Sequence, residues 1–177
     1  RINKFVKSVI IVTSDKCYST ETSTMTFVEN DKLGGSDPYS ASKAASEIIT
    51  RSYYNSFYLE KKIGVATARA GNVIGGGDWQ EDQLVPDCIR ALESNSTIKI
   101  RNPAAIRPWQ HVLEPLYGYL LLAENLYKNP GEYSTGWNFG PEESSFKDVA
   151  TLVEILIQRW GAGKWIHVDN EKDPPET

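Results

Sequence analysis

Short apolar runs alternate with polar stretches and longer helical patterns through most of the chain. Val9-Ile10-Ile11-Val12 is a β-branched run of the kind found in a parallel strand covered on both faces. It ends abruptly in Thr13-Ser14-Asp15-Lys16-Cys17-Tyr18, and residues 19 to 37, rich in Ser, Thr, Asp and Gly, read as a loop. Pro38 suits the first turn of a helix, where its missing N–H costs nothing. The helical pattern then runs through Ile48, Ile49, Tyr53 and Phe57 to Lys61, about six turns. Its many apolar and aromatic positions predict burial on more than one face. Gly64-Val65-Ala66-Thr67-Ala68-Arg69 reads as the next strand, parallel to the first through the helical crossover.

Leu84, Val85, Cys88, Ile89 and Leu92 predict a short amphipathic helix, and Thr97-Ile98-Lys99-Ile100-Arg101 alternates as a strand does. Arg107 to Val112 is a short extended segment carrying a cation and a large aromatic. A helix from about Pro115 to Tyr127 is marked by Leu116, Tyr119, Leu120, Ala123 and Leu126, with Pro130-Gly131 as its stop. Trp137-Asn138-Phe139-Gly140-Pro141 reads as a strand and turn. Ser145 is a suitable N-cap for a helix with Val149, Leu152, Val153, Leu156 and Trp160 on one face, stopped by Gly161. Trp165 to Val168 is a last strand before a polar tail from Asp169 to Thr177. Strands alternating with helices predict an α/β fold on a parallel sheet.

Composition narrows the partners. In 177 residues, 40% hydrophobic and 24% charged, a packed core is expected rather than disorder. The net charge of −4 argues against nucleic acid or an anionic membrane as the main partner, so an anionic ligand must be held locally. Cys17 and Cys88 show neither metal nor disulfide-framework spacing, and with His111 and His167 there is little material for a zinc site. No apolar run approaches the roughly 18 residues of a membrane span. No signal peptide is visible, and the chain reads as cytoplasmic. The G-x-G-x-x-G dinucleotide fingerprint is missing from these residues.

Candidate chemistry gathers at the strand ends. In an open parallel sheet, ligands bind beyond the carboxyl ends of strands, which is where Ser14, Asp15 and Lys16 fall. The same residues also suit a polar loop in which Asp15 is a turn or cap residue. Tyr39 and Lys43, four apart, leave the same helical face. An ammonium group beside a phenol favours the phenolate, which makes a proton-transfer pair; an ordinary solvated helix face carries the same two residues. Gly75-Gly76-Gly77 permits positive φ and an anion-binding nest, or simply a flexible surface turn.

The order of these pieces is specific: a strand, Ser14-Asp15-Lys16, Tyr39-x-x-x-Lys43 on the next helix, then a strand leading to Asn72. It resembles the second half of the extended short-chain dehydrogenase/reductase family of nucleotide-sugar-modifying enzymes. Ala68-Arg69-Ala70-Gly71-Asn72-Val73-Ile74-Gly75-Gly76-Gly77-Asp78-Trp79, Ile100-Arg101-Asn102-Pro103 and Arg107-Pro108-Trp109-Gln110-His111-Val112 carry the likeness most strongly. The resemblance implies the C-terminal part of a Rossmann-like doubly wound parallel sheet plus a smaller sugar-nucleotide-binding domain. Residues 1–74 would be the second half of the NAD-binding domain. Residues 75–177 would mainly bind substrate, with the 112–128 helix returning to the first domain. It further implies NAD as cofactor, CDP-glucose or a similar sugar nucleotide as substrate, a role in deoxysugar biosynthesis, and a homodimer when intact. The family's βαβ units with the glycine-rich loop would precede Arg1, on the order of a hundred residues at about 30 or more per unit. Its last segment would follow Thr177.

The implied reaction is oxidation at sugar C4, loss of water across C5 and C6, and return of hydride to C6. By resemblance Tyr39 takes the C4 hydroxyl proton, Lys43 supports it and bonds the nicotinamide ribose, and Ser14 bonds the C4 oxygen. Asp15 is the general acid for the C6 hydroxyl. Related dehydratases carry Asp-Glu where this chain has Asp15-Lys16, so Lys16 is either the C5 base or a cation that stabilises the enolate. A lysine serves as a base only where desolvation or neighbouring cations favour its neutral form. Asn72 and Arg107 are assigned to the diphosphate and adjoining groups, since Arg contacts phosphate bidentately. Trp79 and Trp109 suit stacking on a base or, more simply, core packing. An epimerase or decarboxylase of the same family would share Tyr39 and Lys43 without needing Asp15 and Lys16. A truncated module that only binds sugar nucleotide is a third reading.

Overall fold

The computed structural model describes residues 5–20 and 26–168; part of the 19–37 loop and the polar tail lie outside them. In chain order the strands are β1 (Ser8–Val12), β2 (Gly64–Ala70), β3 (Val73–Ile74), β4 (Ile98–Ile100), β5 (Ile106–Pro108), β6 (Gln110–His111), β7 (Gly136–Phe139), β8 (Phe146–Asp148) and β9 (Trp165–His167). The helices are α1 (Pro38–Tyr53), α2 (Leu84–Glu93), α3 (Leu113–Lys128), α4 (Pro130–Tyr133) and α5 (Val149–Trp160). They form two compact units, Arg1–Gly71 with Val112–Gly140, and Asn72–His111 with Pro141–Thr177.

The first unit is built on a parallel sheet of order β1-β2-β7, with Ile10 opposite Ala66 and Ala68 opposite Trp137. Neighbouring residues of a strand face opposite ways, and β2 divides accordingly. Ala66 packs with Leu122 and Leu126 of α3, while Thr67 bonds Glu47 of α1. One helix therefore covers each face, which buries nearly all of β2 and explains its lack of polar alternation. Gly118 lets α3 close on β7: a Cβ there would lie 2.4 Å from the Phe139 ring.

Three expectations are corrected here. The helix after Pro38 is buried on one face only within this chain. Ser40, Ala44 and Glu47 face inward, while Ile48, Ile49 and Tyr53 are exposed, and the helix passes into a π-helical turn at Tyr54–Tyr58. In α3 the buried positions are Pro115, Leu122 and Leu126, and Leu120 is 71% exposed. Pro130 does not simply end α3; at an N1 position it opens the short α4.

The second unit pairs β3 with β6 and β4 with β9 in parallel, and β5 with β8 antiparallel. Its core joins Cys88 and Leu92 of α2, Ile98 and Ile100 of β4, and Val153 of α5. The cap of α5 is Asp148, whose carboxylate accepts from Thr151 N at 2.7 Å, and not Ser145, which lies in a 3-10 turn before β8. Gly161 closes α5 in the left-handed conformation, φ +91°, as its position in the sequence predicts. Trp160, expected on the buried face, is largely exposed. No described helix is long and apolar enough to cross a membrane.

Candidate active site

At the carboxyl end of β1 the backbone stays extended through Ser14 and then tightens into a 3-10 turn, Asp15–Cys17. Ser14 caps that turn: its Oγ accepts from Lys16 N at 3.2 Å and donates to Asp15 Oδ1 at 3.0 Å. Asp15 is half-buried, and burial pushes its carboxyl above the ordinary range against the lowering effects of the Ser14 bond and the Lys16 charge. Lys16 is exposed. Cys17 and Tyr18 behind them are buried with Ala44, and burial holds the Cys17 thiol up at about 11, so it packs rather than reacts.

The loop that follows returns to the same place. Ser19 N bonds Lys32 O at 2.8 Å and Gly34 N bonds Cys17 O at 2.9 Å, which delivers the chain to Asp37 beside the turn. Asp37, rather than a residue singled out from the sequence, caps α1, accepting from Tyr39 N at 2.9 Å and Ser40 N at 3.0 Å. These bonds, led by that of the Ser40 hydroxyl, hold its carboxyl below the usual range, and the charge of Lys16 adds to the effect. The first turns of α1 pack on the Asp15–Cys17 turn. Tyr39 is half-exposed there, and Lys43 Nζ lies over its ring, 5.5 Å from the centroid. The fold thus gathers Ser14, Asp15, Lys16, Tyr39 and Lys43 at one end of the first unit.

Beneath them lies a buried polar network absent from the sequence-based list. Glu47, one turn beyond Lys43, is only 4% exposed. Its Oε1 accepts from Thr13 Oγ1 at 2.5 Å, and its Oε2 accepts from Thr67 Oγ1 and Arg69 Nη2, each at 2.6 Å. Burial raises the Glu47 carboxyl, but the bonds from Arg69, Thr13 and Thr67 outweigh it and the net shift is downward. Arg69 also donates to Tyr18 OH at 2.7 Å, and Tyr18 in turn donates to Asn138 Oδ1 at 2.6 Å. A Cβ on Gly136 would sit 2.3 Å from the Arg69 guanidinium, so glycine is required for this approach. One signal was present in the sequence: an arginine inside an apolar strand needs a buried partner.

Asn72 and Arg107 belong to the second unit. The Asn72 carbonyl accepts from Gln110 N at 3.0 Å, and Arg107 stands opposite Lys147 in the β5–β8 pair. In the glycine loop Gly77 takes φ +83°, and a Cβ there would meet open space. Core packing is the wrong expectation for Trp79, which is 57% exposed; Trp109 is half-buried and donates to Lys147 O at 3.0 Å.

A CDP-glucose 4,6-dehydratase of Salmonella typhimurium is 45% identical over 97% of this chain and 49% of its own length. Among solved structures, a UDP-N-acetylglucosamine 4-epimerase from Methanobrevibacter ruminantium matches with a TM-score of 0.77 at 20% identity, over 95% of this chain and 52% of that one. A dTDP-glucose 4,6-dehydratase from Bacillus anthracis, in complex with NAD, matches with a TM-score of 0.72 at 22% identity, over 92% and 49%. The chain thus spans about half the length of these relatives. The family model described as GDP-mannose 4,6 dehydratase matches residues 2–151, and the chain belongs to that family.

Proposed function

We propose that this chain carries the proton-transfer half of an NAD-dependent enzyme that dehydrates CDP-glucose to CDP-4-keto-6-deoxyglucose, in the cytoplasm and toward deoxysugars. The observation that carries the reading is the half-buried Asp15, its carboxyl raised by burial, on a turn packed against the helix that presents Tyr39 and Lys43. Elimination of the C6 hydroxyl needs a carboxylic acid placed to give its proton to the leaving oxygen, and burial shifts Asp15 toward its protonated form. An epimerase has no such need, so the raised acid favours a dehydratase. The half-exposed phenol, backed by an ammonium group, fits the nicotinamide-ribose end of a dinucleotide. NAD, when bound, supplies the hydride acceptor for C4 and the hydride donor for C6.

The rest falls to the chain. Tyr39 takes the C4 hydroxyl proton, with Lys43 over its ring and reaching the ribose. Ser14 turns its hydroxyl from Asp15 to the C4 oxygen. The C4 ketone acidifies the C5 proton, for which Lys16 is the candidate base, while Asp15 gives its proton to the leaving C6 hydroxyl. Exposure of Lys16 favours a second role, electrostatic stabilisation of the enolate oxygen. Asn72 and Arg107 take the diphosphate. The full-length protein works as a homodimer.

Incubating the full-length protein with NAD and CDP-glucose should yield the 4-keto-6-deoxy product, read by mass loss of one water and by its alkaline absorbance. Recovery of a C4 epimer without loss of water, or of unchanged substrate, would overturn the assignment.

A further inference from the structure

The function proposed above uses seven residues and leaves Glu47 without a role. Glu47 follows Tyr39 and Lys43 at steps of four, so all three lie along one side of α1, about 12 Å from first to last. The first two meet substrate and cofactor in that reading; the third turns into the protein. Its two oxygens reach different strands. Oε1 is held by Thr13, the residue immediately before Ser14 on the extension of β1, and Oε2 by Thr67 and Arg69 of β2. Thr13 N also bonds Ala68 O at 2.8 Å, so the Thr13 backbone is itself fixed to β2. Ser14 is extended, with φ −165° and ψ 156°, and its side chain leaves the strand on the side opposite Thr13.

We infer that Glu47 is a positioning residue, whose bond to Thr13 sets the register of α1 against β1 and thereby the distance between the Tyr39 phenol and the Ser14 hydroxyl. The inference rests on the reading of Tyr39 and Ser14 as the pair that works on the C4 hydroxyl. A carboxylate is suited to this task because it accepts from both strands at once, and the charge-assisted bond to Arg69 keeps it from rotating away. Stability alone would be served by either oxygen; of the three bonds Glu47 accepts, the one from Thr13 reaches the strand that ends in Ser14.

The two threonines allow the roles to be separated. Thr13→Val and Thr67→Val each delete one hydroxyl bond to the same buried carboxylate while keeping shape and β-branching. In the full-length, NAD-loaded protein, single-turnover NADH formation is measured with the best substrate among CDP-, dTDP- and UDP-glucose and GDP-mannose. Since a misplacement of about 1 Å can cost on the order of 100-fold, Thr13→Val is expected to slow this step at least about tenfold with KM unchanged. Thr67→Val should stay within about twofold of wild type, and Thr13→Ser should restore the rate. Hydrogen exchange gives a readout apart from activity: amides of residues 42–47 should exchange faster in Thr13→Val than in Thr67→Val at equal loss of melting temperature. Equal rate losses in the two valine variants, or a wild-type rate in Thr13→Val, would overturn the inference. If Thr13→Val does not fold, Thr13→Ala carries the same comparison. A preferred substrate other than CDP-glucose would overturn the substrate assignment and leave this comparison intact.

Discussion

In the proposed function Asp15 and Lys16 are the residues that distinguish dehydration from chemistry that only oxidises and reduces. Burial favours the protonated form of Asp15, so its folded pKa lies above the ordinary 3.8. The acid is competent below that folded value and is lost as pH rises through it. Elimination in the wild type should therefore slow toward higher pH, and Asp15→Asn should abolish that limb. Removing a general acid costs roughly 100- to 10,000-fold, so in Asp15→Asn reduced cofactor should accumulate while the 4-keto-6-deoxy product forms slower by about that factor. Lys16→Ala, run beside it in deuterium oxide, should lose C5 exchange while still oxidising C4; normal exchange would remove Lys16 as the base. These residues were legible because the motif places them three in a row and four apart. Glu47 was not, since its partners lie 34, 20 and 22 residues away and nothing local announces them. Trp79 shows the opposite error, a large apolar residue assigned to a core in which it has no place.

At the scale of elements, the parallel strands were plain in the sequence because both faces of β2 are covered and its residues run together without polar relief. Which side of each helix would be buried was harder to see. Apolar residues surround α3: of the positions periodicity marked, the sheet takes Leu126, adds the unmarked Leu122, and leaves Leu116 and Leu120 exposed. In α1 the inward side is polar or small, and its anchor is the Glu47–Arg69 pair. Breaking a buried pair by removing one partner costs about 3–5 kcal/mol. The net downward shift of the Glu47 carboxyl has a defined consequence. The stability it contributes is present above the unfolded value, near the ordinary 4.5, and is lost as pH falls through the lower folded value. Melts from pH 7 down to pH 3 should show wild-type stability dropping through that window. Glu47→Gln should start less stable and lose less over it; an identical acid slope would show that other carboxylates carry the dependence.

The whole molecule presents two features that the helical patterns alone left unresolved. Each of the two compact units has its own apolar core. The first body also leaves apolar surface uncovered: Ile48, Ile49 and Tyr53 on α1, and Leu116, Tyr117 and Leu120 on α3. Several exposed apolar residues on one helix mark a candidate interface, and a self-complementary surface closes most simply as a two-fold dimer. For α1 such a dimer has a mechanistic consequence. Glu47 holds the helix from the sheet side, and a partner against Ile49 would hold it from the other, so the Tyr39–Lys43 turns would be braced on both. Ile49→Glu places a charge where a dimer would bury it without touching any residue assigned to the reaction. The full-length protein is expected to sediment as a dimer, and Ile49→Glu as a monomer with a lower rate of C4 oxidation. A monomeric wild type, or a variant that stays dimeric at micromolar concentration, would remove α1 from the interface and leave its outer face to another part of the chain.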